Sequence, residues 1–331
     1  MEMAKQDKDT IWAELLHFGL NMWNDQPVKE YKDFTPYELS LISVADHLRF
    51  DEAVWRRVTG RMAEAGMNML VIDVGEGIQL KSHPELAVKG SWTIDRFRAE
   101  LDRLRKMGIE PIPKLNFSAA HDIWLKEYSR MLSTPEYYRV CEDVIAEVGE
   151  IFDRPRFFHL GYDEENWKCQ RFNLYAAVRQ GEQWWHDFLK ISGYAEKRGM
   201  RPWIWSDYSW EHEEEFMRRM PRSVVQSNWY YGLGFEGDTN ERTRERTKRR
   251  CGMFGKLADA GFDTIPCGSN YDTDKNFGAL VPFCDKVVAP ERLKGFLMAP
   301  WFATVPYMEK KLLESVDQVG AAMTIRVSRG A

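Results

Sequence analysis

The apolar run Phe157-Phe158-His159-Leu160-Gly161 leads through Tyr162 into three consecutive acids, Asp163, Glu164 and Glu165. Adjacent carboxylates repel, so each raises the pKa of its neighbours. One raised carboxyl can stay protonated and serve as a general acid while another stays ionised, the pairing that glycosidic cleavage requires. The plainer alternative is that the acids cap the next helix and face water, complementing its N-terminal dipole.

Other chemistry-bearing side chains recur at the ends of short apolar runs. They are Asn21 and Trp23, Asp73 and Glu76, Asn116 and His121, Trp205 and Asp207, Asn228 and Trp229, then Asn270, Tyr271, Asp272 and Trp301. Sugars offer hydroxyls to carboxylates and amides, and apolar C–H faces to aromatic rings, so this set fits a carbohydrate ligand. No glycine-rich loop carries a Lys, so it does not fit a phosphate site. Plainer roles stand beside these: Asp272 and Asp274 as loop caps, Asp73 and Glu76 in a solvated loop, His121 and His159 as satisfied core or loop residues.

Short apolar runs alternate with polar loops and amphipathic stretches, the pattern of βα units and a parallel sheet. The expected strands are 15–23, 68–74, 109–116, 156–161, 201–207, 224–229, 262–268 and 296–301. The expected helices are 51–65, 93–107, 134–152, 176–198, 211–220, 243–260 and 307–319. Eight units predict an α/β fold, a single (β/α)8 TIM barrel over residues 1–331 with extended βα loops. Such barrels gather their chemistry at the C-terminal ends of the strands.

Composition narrows the function further. Thirteen Trp residues exceed what a core needs; some fill the barrel, and those at strand ends suit a sugar face. The net charge of -5 and a basic run, Arg242 to Arg250, that Glu245 interrupts give no sign of a nucleic-acid partner. That run reads as a solvated helix face. Five Cys without CxxC spacing argue against a disulfide framework and structural zinc, and no cofactor or metal is expected. No stretch is apolar enough to span a membrane. The polar first ten residues place the chain as written in the cytoplasm, or in the periplasm or outside if a signal peptide has been removed.

His159-Leu160-Gly161-Tyr162-Asp163-Glu164 resembles the His-x-Gly-Gly-Asp-Glu signature of glycoside hydrolase family 20, the β-N-acetylhexosaminidases. The segment from Pro111 to His121 is similar to the family's Ile-Pro-Glu-Ile-Asp-x-Pro-Gly-His, and Trp203-Ile204-Trp205-Ser206-Asp207 to its Trp-x-Asp ending. Trp229, the pair Tyr271-Asp272, and Trp301 fall where its sixth, seventh and eighth strands carry Trp, Tyr followed by Asp, and Trp. The resemblance implies a retaining, substrate-assisted hydrolysis of a β-linked hexosaminide, with the sugar's acetamido oxygen as nucleophile. Glu164 would be the general acid and base, Asp163 would hold the acetamido N–H and Tyr271 its carbonyl. Trp205, Trp229 and Trp301 would wall the pocket, with His121 and His159 behind them.

The sequence departs from the family at several points. Lys114 and Asn116 stand where it has Glu and Asp, Ala119-Ala120 replaces Pro-Gly, and no Arg ends the first strand. Tyr162 replaces the second Gly of the signature and is expected to add bulk beside the acids. Two further readings stay open. One is a sugar-binding barrel without catalysis; the other is a two-carboxylate retaining glycosidase in which Asp207 or Asp272 is a nucleophile about 5 Å from the acid.

Overall fold

The structure, a computed structural model, describes residues 10–235 and 241–328. Met1–Asp9, most of the polar start noted above, lie outside the described residues, as does the side chain of Arg242. Eight parallel strands are β1 (Ile11–His17), β2 (Met69–Asp73), β3 (Glu110–Lys114), β4 (Phe157–His159), β5 (Arg201–Trp205), β6 (Val225–Ser227), β7 (Cys267–Gly268) and β8 (Gly295–Met298). They pair in the order β6-β5-β4-β3-β2-β1-β8-β7. Bridges between Gln226 and Thr264 and between Trp229 and Cys267 join β7 back to β6 and close the barrel. This is a (β/α)8 barrel.

The strands are buried on both faces, because alternate side chains point into the barrel and outward against helices. Inward residues such as Ala13, Leu15, Val71, Ile112, Trp203 and Leu297 pack as an inner cluster. Outward residues such as Leu16, Ile72 and Phe158 join the larger outer cluster. The helices are α1 (Pro36–Leu41), α2 (Glu52–Glu64), α3 (Ile94–Lys106), α4 (Pro135–Ile151), α5 (Glu182–Glu196), α6 (Glu213–Arg219), α7 (Glu241–Asp259), α8 (Asn276–Val287) and α9 (Glu309–Ser328). Asp51, Thr93 and Thr134 cap α2, α3 and α4 by accepting from the amides of Val54, Arg96 and Tyr137.

Several boundaries differ from the sequence expectation. The first strand starts and ends earlier than 15–23, because the chain leaves the sheet where the amides of Phe18 and Gly19 both donate to the Asp73 carbonyl. The seventh strand shrinks to two residues, since Pro266 has no N–H to give the ladder. Helix α8 was not anticipated; Gly278 and Pro282 within it read as loop punctuation. Helix α5 begins at Glu182 rather than 176, leaving residues 160–181 as a long β4 loop.

That loop is tied down by burying one of the three acids. Glu165 accepts from Arg179 Nε (2.7 Å) and Nη2 (2.6 Å), and Arg179 Nη1 reaches Asp187 on α5 at 3.0 Å. Arg179 also donates to the Phe117 carbonyl at 2.7 Å, while Tyr138 and Ser133 donate to Asp187. The charges are almost wholly buried. A buried ion group is held by complete pairing, and removing one member leaves uncompensated charge. Arg179→Met is therefore expected to lower stability to urea unfolding by about 3–5 kcal/mol. A loss under about 1 kcal/mol, the range of exposed ion pairs, would show that the network does not anchor the loop.

Candidate active site

At the C-terminal ends of the strands lies a cavity of about 720 Å3. Below it the barrel interior ends in a polar belt: His17, Asp73, Lys114 and His159 are register partners on β1 to β4. Lys114 Nζ lies 2.5 Å from Asp73 Oδ2, and His17 Nδ1 lies 3.4 Å from the same oxygen. Burial opposes ionisation of Asp73, but Lys114 and His17 together outweigh it, taking the carboxyl down to about 2. His159 accepts from the Gly161 amide through Nδ1 (3.1 Å) and packs under Trp205. Burial and the Lys114 charge hold it neutral. His159 therefore lies behind the Trp205 wall and does not line the cavity, so it is not itself a sugar-binding residue.

The acids are aimed by the turn after β4. Gly161, Tyr162 and Glu164 have φ of 72°, 71° and 54°. A side chain at Gly161 would also collide with the Asn116 amide, with a Cβ 2.0 Å from Oδ1. Asn116 Oδ1 accepts from the amides of Ser118 (3.0 Å) and Tyr162 (3.2 Å), and its Nδ2 donates to Asp163 Oδ1 at 2.7 Å. The left-handed Tyr162 sends its ring into the core against Trp184 and Phe188. It does not add bulk beside the acids, which corrects the sequence expectation.

Asp163 and Glu164 meet at His121, whose Nε2 lies 3.5 Å from Asp163 Oδ2 and 3.4 Å from Glu164 Oε2. Burial would lower the imidazole's pKa, but Asp163 first and then Glu164 hold it above the ordinary value. Burial likewise would raise Glu164, but the hydrogen bond and charge of His121 prevail and hold it below the usual range. Asp207 is pushed up to about 7, by burial first and then by the charges of Asp163 and Glu164. The sequence expected a raised group within the acid run, whereas His121 holds Glu164 low and burial raises Asp207. Asp207 Oδ2 accepts from the Glu164 amide at 2.8 Å, and its buried Oδ1 has no protein partner. It supports Glu164 from behind and does not line the cavity.

Trp205, Trp229, Trp301, Tyr271 and Asp272 line the cavity as expected, with Trp23 beside them. Trp205 and Trp301 lie 5.6 Å apart between centroids. Tyr271 stands at the mouth, 36% exposed and against Phe302. Asn228 and Asn270 instead bind backbone carbonyls, of Arg250 and Lys311. Glu76 accepts from the amides of Leu20 and Asn21, so it shapes the β1 loop.

Sequence reasoning missed Tyr231 and Arg250 near the acids, as well as loop residues at the mouth such as Lys32 and Arg171. Tyr231 stacks on Trp229 at 5.0 Å, accepts from Trp301 Nε1 at 2.9 Å, and lines the cavity. Its phenol is raised chiefly by burial, with Asp163 and Glu164 contributing. The signal was the extended spacing of Trp229 and Tyr231, which puts both on one face. Arg250, read as part of a solvated face, stacks on Trp210 at 4.0 Å and Trp229 at 5.2 Å behind the site. Burial, with Arg246 nearby, takes its pKa down to about 10 against the pull of Asp207 and Glu164. Helical spacing to the buried Met253, Phe254 and Leu257 carried that signal.

No protein-family model and no curated protein matches the sequence. Among solved structures, the chain is similar to Flavobacterium johnsoniae chitobiase, at 16% identity and TM-score 0.58, covering 85% of this chain and 48% of that one. It is similar to the Vibrio harveyi exo-β-N-acetylglucosaminidase of family 20, solved with N-acetylglucosamine, at 13% identity and TM-score 0.60 (94% and 54% covered). It is also similar to dispersin B, at 15% identity and TM-score 0.55 (82% and 95% covered). The chain thus spans about half the length of the first two proteins. It shares their barrel fold.

The Asp207 carboxyl generates a pH prediction. Its folded value of about 7 exceeds the ordinary 3.8, so the native state binds an extra proton between those values. Its contribution to stability is full below 3.8 and is lost as pH rises through about 7. Asp207→Asn keeps an acceptor for the Glu164 amide but cannot titrate. The thermal midpoint of the wild type relative to this variant should fall between pH 4 and about 7; a difference independent of pH would rule out the raised carboxyl.

Proposed function

We propose that the chain is a glycoside hydrolase cleaving a β-linked hexosaminide with retention and substrate assistance. The observation that carries this reading is the meeting of Asp163 and Glu164 at His121 in a cavity walled by Trp205, Trp229 and Trp301. Indoles receive the apolar face of a sugar ring, while carboxylates take its polar groups.

In this reading Asp163, fixed by Asn116, accepts the acetamido N–H and turns the acetamido oxygen toward the anomeric carbon. That oxygen forms a bond to the anomeric carbon as the glycosidic C–O bond breaks. His121, 3.4 Å from Glu164, passes it a proton when the substrate excludes water, and Glu164 gives that proton to the leaving oxygen and is left ionised. The glutamate then takes a proton from water, whose oxygen opens the cyclised intermediate. Tyr231, deep in the cavity and close enough to feel both acids, suits the acetamido carbonyl better than Tyr271 at the mouth. Asp207 is disfavoured as a nucleophile, since it sits behind Glu164 and holds a proton near neutral pH.

Glu164→Gln should lower turnover of substrates with poor leaving groups by about 10²–10⁴-fold and spare activated aryl glycosides, whose leaving oxygen hardly needs a proton. Equal losses on both would point to another role for Glu164. A thiazoline mimic of the cyclised intermediate should bind far more tightly than the product sugar, with Asp163→Asn weakening the mimic more than the product. If it binds no better than a plain monosaccharide, and glycosides without an acetamido group are cleaved equally well, assistance by the substrate is excluded.

A further inference from the structure

The cavity is electrically divided. Its deep end holds Asp163 and Glu164, whereas its mouth is roofed by the β1 loop, residues 18–50, and the β4 loop, residues 160–181. These loops are locked together: the Asp25 amide donates to Asn173 Oδ1 (3.2 Å), the Leu174 amide donates to Asp25 Oδ1 (3.0 Å), and Gln26 Nε2 donates to the Phe172 carbonyl (2.6 Å). Each loop brings one cation to the same aromatic ring. Lys32 Nζ lies 5.1 Å from the Tyr31 centroid, and Arg171 Cζ also lies 5.1 Å from it.

Two like charges drawn to one ring repel unless something neutralises them. Neither forms an ion pair among the described residues, although both line the cavity. Of the nearby acids, Glu38 is engaged by the Thr35 amide and hydroxyl, each at 2.8 Å. Asp272, on the same rim, is felt by Lys32 but forms no ion pair with it. Lys32 is also held at φ 50°, a left-handed conformation rare for a non-glycine residue and concentrated at ligand sites.

We infer that the mouth is a subsite for an acidic sugar, with Lys32 and Arg171 gripping the anionic group of the residue beyond the scissile bond. The inference rests on the reading of the cavity as a saccharide site. The acids at the deep end repel an anionic ring while the cations at the mouth attract it. A saccharide of one neutral and one acidic unit therefore enters in a single orientation, neutral ring first. A carboxylate and a sulfate offer the same chemistry to an ammonium and a guanidinium.

The test compares three disaccharides in which N-acetylglucosamine is β-linked to glucose, to glucuronic acid or to glucose 6-sulfate. The wild type should favour at least one acidic disaccharide over the neutral one by about tenfold in kcat/KM, and the arm that wins identifies the anion. Screening at about 0.5 M salt should shrink that ratio. In the double variant Lys32→Met with Arg171→Met the ratio should fall to about one, and in the exposed single variant Lys32→Met to an intermediate value. Equal rates on all three in the wild type, or a preference that survives the double substitution, would overturn the inference and leave the hydrolase reading standing. If none is cleaved, the hydrolase reading fails instead, and calorimetric binding of the same three decides the subsite: tighter binding of an acidic one, abolished in the double variant, upholds it, and equal binding overturns it.

Discussion

The side-chain amide of Asn116 sits where the backbone turns back after β4, and its three hydrogen bonds govern where the acids point. Its oxygen holds the amides of Ser118 and Tyr162, and its nitrogen holds Asp163. This clamp needs Gly161, both for the left-handed backbone and for the space the amide fills. With the turn set, three adjacent carboxylates take three directions. Asp163 is buried at the cavity wall, Glu164 opens onto it with 40% of its side chain exposed, and Glu165 sinks into the pairing with Arg179.

Separating the acids solves an electrostatic problem that adjacency alone would create. Three unpartnered carboxylates in a low-dielectric pocket would raise one another's pKa without selection. Here each has its own counter-group: Asn116 and His121 for Asp163, His121 for Glu164, and Arg179 for Glu165. Asp207, which has only the Glu164 amide on one oxygen, is driven up to about 7 by burial and then by the charges of Asp163 and Glu164. Below them, the Lys114–Asp73 pair occupies the barrel interior, and the Lys114 charge is felt by both His159 and His121.

Departures from the family signature acquire physical roles in this setting. Lys114 belongs to the belt beneath the cavity and pairs with Asp73, so it is a feature of the barrel interior. Tyr162 occupies a left-handed position, and its ring packs between the barrel and α5 instead of beside the acids. Asn116, in place of a carboxylate, supplies both an acceptor for the turn and a donor for Asp163, which an ionised acid cannot do.

Local patterns determined a good part of this protein. Apolar runs alternating with amphipathic stretches are enough to read eight βα units and to start helices at 51, 93 and 134, where the structure finds Asp51, Thr93 and Thr134 as caps. The same locality places Asp163 and Glu164 at the end of β4 and Trp residues at strand ends, the face where such barrels gather their chemistry. What local patterns cannot carry is the meeting of distant loops. That Glu165 is sunk by Arg179 and Asp187, that Asp207 holds the Glu164 amide, that His159 lies under Trp205, and that Lys32 and Arg171 share the Tyr31 ring all depend on closure of the barrel. Hydrogen bonds and charges act over a few ångströms of space whatever the separation along the chain. The tertiary structure alone therefore decided which acid is protonated, which is buried and which faces the cavity.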